Sequence, residues 1–203
     1  MQRYLLTLLL ALLAAPAWAQ PAMLTSGELI ERMQQGGLVI YWRHAATDHS
    51  QRDSDLSDMA NCATQRNLNE AGREQARRVG AGFERHAIPV GQVLSSAFCR
   101  NRDTARIAFG EYEVVDELFN VPAVRDRQQV DRLIQALALM LNRPPQPPVT
   151  NTVIVGHNIN LQLVARGLHI SPRLQIREGE IAVFEPGGRG PALLGRLRPE
   201  AFE

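Results

Sequence analysis

Two arginines and two histidines stand at, or soon after, the ends of apolar runs that are typical of buried strands. Arg43 and His44 follow the first run, Arg100 comes soon after the second, and His157 comes soon after the fourth. A guanidinium group can hold phosphoryl oxygens through paired hydrogen bonds. One neutral imidazole can attack phosphorus, while the other donates a hydrogen bond to a phosphoryl oxygen. These residue types therefore indicate a site for a phosphoryl group.

An alternation of strands and helices would bring these four residues together, because ligands of parallel sheets bind beyond the carboxyl ends of the strands. The pattern predicts the α/β class, as a three-layer α/β/α sandwich with a mainly parallel central sheet in one domain over residues 20–203. We expect strands over 38–42, 93–95, 113–118 and 152–155, helices over 25–35, 69–86, 100–109, 127–142 and 161–168, and a closing hairpin over 181–184 and 192–197.

The charged residues exclude several classes of function. The chain contains no lysine, so arginine supplies every permanently basic side chain. Schiff-base catalysis and a Walker-type phosphate loop both require lysine and are excluded. The 22 basic residues nearly balance the 21 acidic ones, which disfavours a nucleic-acid partner.

The first nineteen residues have the pattern of a signal peptide. A basic start at Arg3 precedes an apolar run, and Ala17-Trp18-Ala19 is typical of a cleavage site. The run is shorter than the roughly 20 residues of a membrane span, which disfavours the alternative of an anchor. We therefore expect cleavage before Gln20 and a periplasmic or secreted protein without stable membrane association.

Export changes what the two cysteines, Cys62 and Cys99, indicate. In an oxidising compartment an isolated pair favours a disulfide. The alternative is a pair of free buried thiols that pack as small apolar groups. A zinc site is disfavoured because the chain has no C-x-x-C pairing.

Four motifs resemble those of one known family. They occur in the family's order and resemble an Arg-His-Gly-x-Thr signature, a helix motif beginning Leu-[Ser/Thr], an S-S-x-x-x-R-x-x-x-T-A pattern and a Gly-His segment. The corresponding residues are 43–47, where Ala45 replaces the glycine, 68–80, 95–105 and 156–157. The chain thus resembles the histidine phosphatase superfamily (phosphoglycerate mutase-like), and loosely an exported bacterial branch that acts on envelope sugar phosphates.

The resemblance implies a function and a role for each residue. His44 would be the nucleophile of a phosphomonoester hydrolase, and Arg43, Arg100 and His157 would bind the phosphoryl oxygens. Thr47 would help to bind the substrate, a small phosphorylated molecule, and neither a metal ion nor another cofactor is implied. Two alternatives stay open: a phosphotransferase or mutase that uses the same pocket, and a catalytically silent phosphate-binding module.

The general acid is the main departure from the family pattern. Asn120 stands where many members carry glutamate, yet some group should protonate the leaving oxygen. Asp48 is the first candidate because its loop leaves the nucleophile directly, and Glu117, Glu178 and Glu180 are the others. We interpret the polar loop over 51–66 as a lid and specificity element.

Overall fold

The computed structural model describes residues 23–171 and 174–203. The predicted signal peptide lies outside these residues. Within them, six strands form one sheet in the order β3-β2-β4-β1-β5-β6. The strands are β1 (Val39–Arg43), β2 (Val90–Ser95), β3 (Glu113–Val114), β4 (Asn151–Gly156), β5 (Ile181–Glu185) and β6 (Ala192–Leu197).

The sheet is mainly parallel, as predicted. The pairs β3–β2, β2–β4 and β4–β1 are parallel, whereas β5 runs antiparallel to β1 and β6 runs antiparallel to β5. The predicted hairpin is therefore confirmed as the last two strands. Continuous apolar runs mark β1 and β4 because these two central strands are buried on both faces.

Helices cover both faces of the sheet. They are α1 (Ser26–Gln34), α2 (Glu70–Arg85), α3 (Cys99–Phe109), α4 (Arg127–Leu141) and α5 (Asn158–Gly167). Alternate residues of β1 face opposite cores: Trp42 packs with residues of α1, α2 and α3, whereas Tyr41 packs with residues of α4 and α5. This arrangement confirms the three-layer sandwich.

The predicted third strand over 113–118 is the main error in the fold. Only Glu113–Val114 pairs as a strand, and the chain then forms a 3-10 turn over Asp116–Leu118. β3 is an edge strand with exposed side chains, so the sheet gains little from a longer pairing. The turn instead buries Leu118 in the core beside α4.

No helix among residues 23–171 and 174–203 is long and apolar enough to cross a bilayer. The same residues contain no group of three or more histidine, cysteine, aspartate or glutamate side chains placed to hold a metal ion.

Candidate active site

The structure brings the four predicted residues to the carboxyl edge of the sheet. Arg43 lies beside Gly156 in the pairing of β1 with β4, and the backbone N–H of His44 donates to the Gly156 carbonyl at 3.2 Å. Arg100 lies in the first turn of α3, which follows β2, and His157 immediately precedes α5. The ring centroids of His44 and His157 are 5.7 Å apart.

The surroundings of His44 favour a neutral ring. Its side chain is buried, and Nδ1 lies 3.0 Å from the carbonyl oxygen of Ala45. A carbonyl only accepts, so Nδ1 carries the proton and the lone pair remains on Nε2. Burial, and then the positive charge of Arg100, lower the pKa of His44 well below 6.5. The imidazole is therefore unprotonated at Nε2 near neutral pH.

His157 is fixed through its backbone by Tyr41. The His157 N–H donates to the Tyr41 hydroxyl at 2.8 Å, and that hydroxyl donates to the His157 carbonyl at 2.9 Å. Nε2 of His157 lies 3.0 Å from the Ser96 hydroxyl oxygen. Burial, followed by the neighbouring His44 and Arg100, lowers the pKa of His157 well below its usual range. Both imidazoles are thus neutral in the folded protein.

These two pKa shifts predict a loss of stability in mild acid. Below about pH 6.5 the unfolded chain protonates both imidazoles and the folded protein does not, so the unfolded state binds more protons. The free energy of unfolding should fall by about 1 kcal/mol per pH unit for each imidazole from pH 6.5 towards pH 5. Urea unfolding at a series of pH values measures this slope.

The matched control for that slope is a double variant with His44→Asn and His157→Asn, which has no imidazole to protonate at these positions. Its stability should vary much less over the same pH range. An equal slope in the two proteins would show that other groups cause the acid sensitivity.

Arg100 is the most deeply buried cation of the site. Its side chain is 1% exposed and its guanidinium carbon lies 4.4 Å from the centroid of the Phe98 ring. Arg43 is more open and donates to the carbonyl of Ile176 at 3.0 Å. The Nε atoms of Arg43 and Arg100 are both buried and find no hydrogen-bond partner among the described residues. A phosphoryl oxygen offers the acceptor that these donors lack.

A third guanidinium, that of Arg66, belongs to the site although the sequence did not single it out. Its positive charge contributes to the lowered pKa values of His44 and His157. Its backbone carbonyl accepts from Arg100 at 3.3 Å. The only signal in the sequence was its position in the polar loop expected to act as a lid.

The Glu178 carboxylate contacts Thr47, Arg43 and Arg66. It accepts from the Thr47 N–H at 3.1 Å and from the Thr47 hydroxyl at 2.9 Å. Arg43 lies 3.4 Å and Arg66 3.7 Å from its oxygens. Thr47 therefore lies at the site as predicted, but its two donors hold Glu178.

The structure does not favour Asp48, the first candidate for the general acid. Its carboxylate accepts from the Ser50 hydroxyl at 2.7 Å, from the Ser50 N–H at 3.0 Å and from Gln51 at 3.1 Å. The hydrogen bonds from Ser50 lower the pKa of Asp48, which keeps it ionised and makes it a poor acid. Glu117 is exposed on a 3-10 turn. The Glu180 carboxylate pairs with Arg198 at 3.5 Å.

A disulfide joins Cys62 to Cys99 in the structure, with their Cα atoms 5.7 Å apart. It ties the loop to the first residue of α3, next to Arg100. Gln65 reinforces this connection, because its side-chain oxygen accepts from the Cys99 N–H at 2.9 Å. The loop that carries Arg66 is therefore fixed to the helix that carries Arg100.

Comparison with known proteins agrees with this arrangement. The family model described as histidine phosphatase superfamily (branch 1) matches residues 39–120. No curated protein matches the chain by sequence.

Solved structures share the fold at low identity. The protein histidine phosphatase SixA complexed with tungstate is 17% identical, with a TM-score of 0.54 over 82% of this chain and 99% of that one. A mycobacterial glucosyl-3-phosphoglycerate phosphatase in complex with VO3 is 15% identical, with a TM-score of 0.55 over 77% and 96%. A phosphoserine phosphatase mutant from Entamoeba histolytica bound to phosphoserine is 14% identical, with a TM-score of 0.56 over 81% and 98%.

Proposed function

We propose that this chain is a histidine phosphatase, as the family model that matches residues 39–120 suggests, and that it hydrolyses phosphomonoesters through a phosphohistidine intermediate on His44. One observation carries this proposal above all others. Nδ1 of His44 lies 3.0 Å from the Ala45 carbonyl, which leaves the lone pair on Nε2, and the ring lies beside His157 and near the charges of Arg43, Arg66 and Arg100. An uncharged nucleophile surrounded by fixed positive charges is what attack on a phosphate dianion requires.

Each residue has a distinct task in the proposed reaction. Nε2 of His44 attacks phosphorus and displaces the ester oxygen, and water later attacks the phosphohistidine to release phosphate. Arg43 and Arg100 bind the phosphoryl oxygens, and each of them supplies an Nε–H that has no partner among the described residues. The carbonyl of Ala45 stabilises the proton on Nδ1, which acquires positive charge as the N–P bond forms.

We propose a small phosphorylated metabolite or an envelope sugar phosphate as the substrate, and a site of action in the periplasm or outside the cell. The predicted signal peptide supports export. The disulfide between Cys62 and Cys99 is consistent with an oxidising compartment.

Trapping the intermediate tests the mechanism. Brief incubation with a 32P-labelled phosphomonoester, followed by a denaturing quench, should leave label on the wild-type protein. The bond should survive base and break in acid, because a phosphoramidate on imidazole has this lability and a serine ester does not. The variant His44→Gln, which removes the nucleophile, should carry no label.

The alternatives give different results in the same assay. Label that moves to an added alcohol instead of to water would indicate a phosphotransferase or mutase. Phosphate binding without label on the protein, over a panel of phosphosugars, phosphopeptides and inositol phosphates, would indicate a silent binding module and overturn the proposal.

A further inference from the structure

The Asp53 carboxylate contacts the guanidinium group of Arg100, which we propose binds the phosphoryl group. Its Oδ1 accepts from Arg100 Nη1 at 2.9 Å and from the backbone N–H of Arg66 at 2.9 Å. The Arg100 side chain is 1% exposed, whereas the Asp53 side chain is 25% exposed. Asp53 therefore caps the buried cation from the solvent side, which is the direction from which a substrate arrives.

The chain around Asp53 is ordered by contacts within the loop. The N–H of Ser54 donates to the carbonyl of Thr64 at 2.8 Å, and the Thr64 hydroxyl donates to the carbonyl of Asp55 at 2.7 Å. The disulfide at Cys62 then fixes this part of the loop to α3. Asp53 is thus positioned by the fold and is not a freely moving surface side chain.

The net charge of the site favours the uptake of one proton when a phosphate dianion binds. Three guanidinium groups face the carboxylates of Asp53 and Glu178, and both imidazoles are neutral. The carboxylate of Glu180 also lies near Arg43, but Arg198 balances its charge. The resulting single positive charge does not balance a phosphate dianion. Uptake of one proton by a carboxylate of the pocket would restore neutrality in a site where unpaired charge is costly.

Asp53 is the carboxylate whose partner a bound phosphoryl group would take. Glu178 is held by Thr47, Arg66 and His49 as well as by Arg43, so it keeps partners when Arg43 binds a phosphoryl group. Among the described residues, the cation that pairs with Asp53 is Arg100, and the phosphoryl oxygens compete for that same guanidinium. Phosphoryl oxygens bound to Arg100 would be neighbours of Asp53, and only a protonated carboxyl can donate a hydrogen bond to them.

We propose that Asp53 is the general acid of the phosphatase. It would take the role of the glutamate that many family members carry at the position of Asn120. The inference rests on the function proposed above. As Nε2 of His44 forms its bond to phosphorus, the P–O bond of the ester breaks and the Asp53 proton moves to the leaving oxygen, which departs as an alcohol. Water then attacks the phosphohistidine, Asp53 accepts a proton from it, and the N–P bond breaks to release phosphate.

The variant Asp53→Asn tests this role through the leaving group. The value of kcat/KM reports the first transfer, to His44, and so separates protonation of the leaving oxygen from later hydrolysis. For an alkyl phosphate, whose alkoxide leaves poorly, kcat/KM should fall by about 100-fold or more, the usual worth of a general acid. For p-nitrophenyl phosphate, whose phenolate leaves without a proton, the change should stay within about fivefold.

Asp55→Asn is the matched control. It makes the same change of charge in the same loop, and the Asp55 carboxylate accepts from the Ser57 N–H, away from the arginines. Both substrates should be hydrolysed at wild-type rates by this variant. Equal melting temperatures of the three proteins would show that the loop remains folded.

Two results would overturn the inference while leaving the phosphatase intact. Equal losses for both substrates in Asp53→Asn would assign Asp53 a structural role. Tighter binding of both substrates, with an unchanged ratio between them, would make Asp53 only a counter-ion that competes for Arg100. Failure of the wild-type protein to hydrolyse p-nitrophenyl phosphate or to form a labelled intermediate would instead contradict the proposed function itself.

Discussion

Replacing His44 with alanine is expected to lower kcat for phosphomonoester hydrolysis by about 10⁵-fold or more, since removing the nucleophile of a covalent mechanism costs this order of magnitude. The substitution deletes the atom to which phosphorus is transferred, and Arg43 and Arg100 can then only bind the substrate. Steady-state hydrolysis of p-nitrophenyl phosphate measures the loss. Retention of more than about a tenth of the wild-type rate is incompatible with a nucleophile.

His157→Ala provides the comparison that separates attack from stabilisation. This residue is also buried and neutral, and its ring lies 5.7 Å from that of His44. Its loss should lower kcat by about 10² to 10³-fold, as removal of one stabilising hydrogen bond does, but labelled phosphoenzyme should still form. Free imidazole should restore part of the activity of His44→Ala, because it can enter the space left by the missing ring.

The sequence predicted the part of the site that depends on short-range pattern. β1 and β4 are central strands and therefore continuous apolar runs, and their ends are visible where polar residues begin. Because parallel strands end at one edge, the positions of Arg43, His44 and His157 followed from the ends of those runs. The helices were predicted to within about three residues because each has a cap or an apolar face.

The remainder of the site depends on contacts that no local pattern encodes. Arg66 and Asp53 reach Arg100 only because the loop folds back through the disulfide and its internal hydrogen bonds. Glu178 comes from a segment after α5, far along the chain from Thr47, to which it bonds. Asp48 was closest to the nucleophile in sequence, but its carboxylate is taken up by its own turn. Proximity to the nucleophile along the chain therefore did not point to Asp53, the acid that we propose.

The replacement Arg100→Ala is expected to lower kcat/KM by about 10³-fold or more, within the range reported for an arginine that stabilises phosphoryl transfer. The guanidinium is almost fully buried, so its charge acts through little solvent and its attraction for a phosphoryl oxygen is correspondingly strong. Its desolvation also lowers the pKa of Arg100, and the pairing with Asp53 opposes that shift. Both effects show that the Arg100 guanidinium is shielded from water and is contacted by groups of the protein instead.

Two further variants distinguish the loss of binding geometry from the loss of charge. Arg100→Lys keeps the charge but removes the planar fork and the stacking over Phe98, so it should recover less than about a tenth of the lost kcat/KM. Arg106→Ala, an exposed arginine on the same helix that pairs with Asp103, should hydrolyse substrate at the wild-type rate. Equal activity of Arg100→Lys and wild type would show that charge alone suffices. In that case the contact between Arg100 and the phosphoryl group would be electrostatic without a bidentate hydrogen bond, and the unpartnered Nε of Arg100 would have no role in binding.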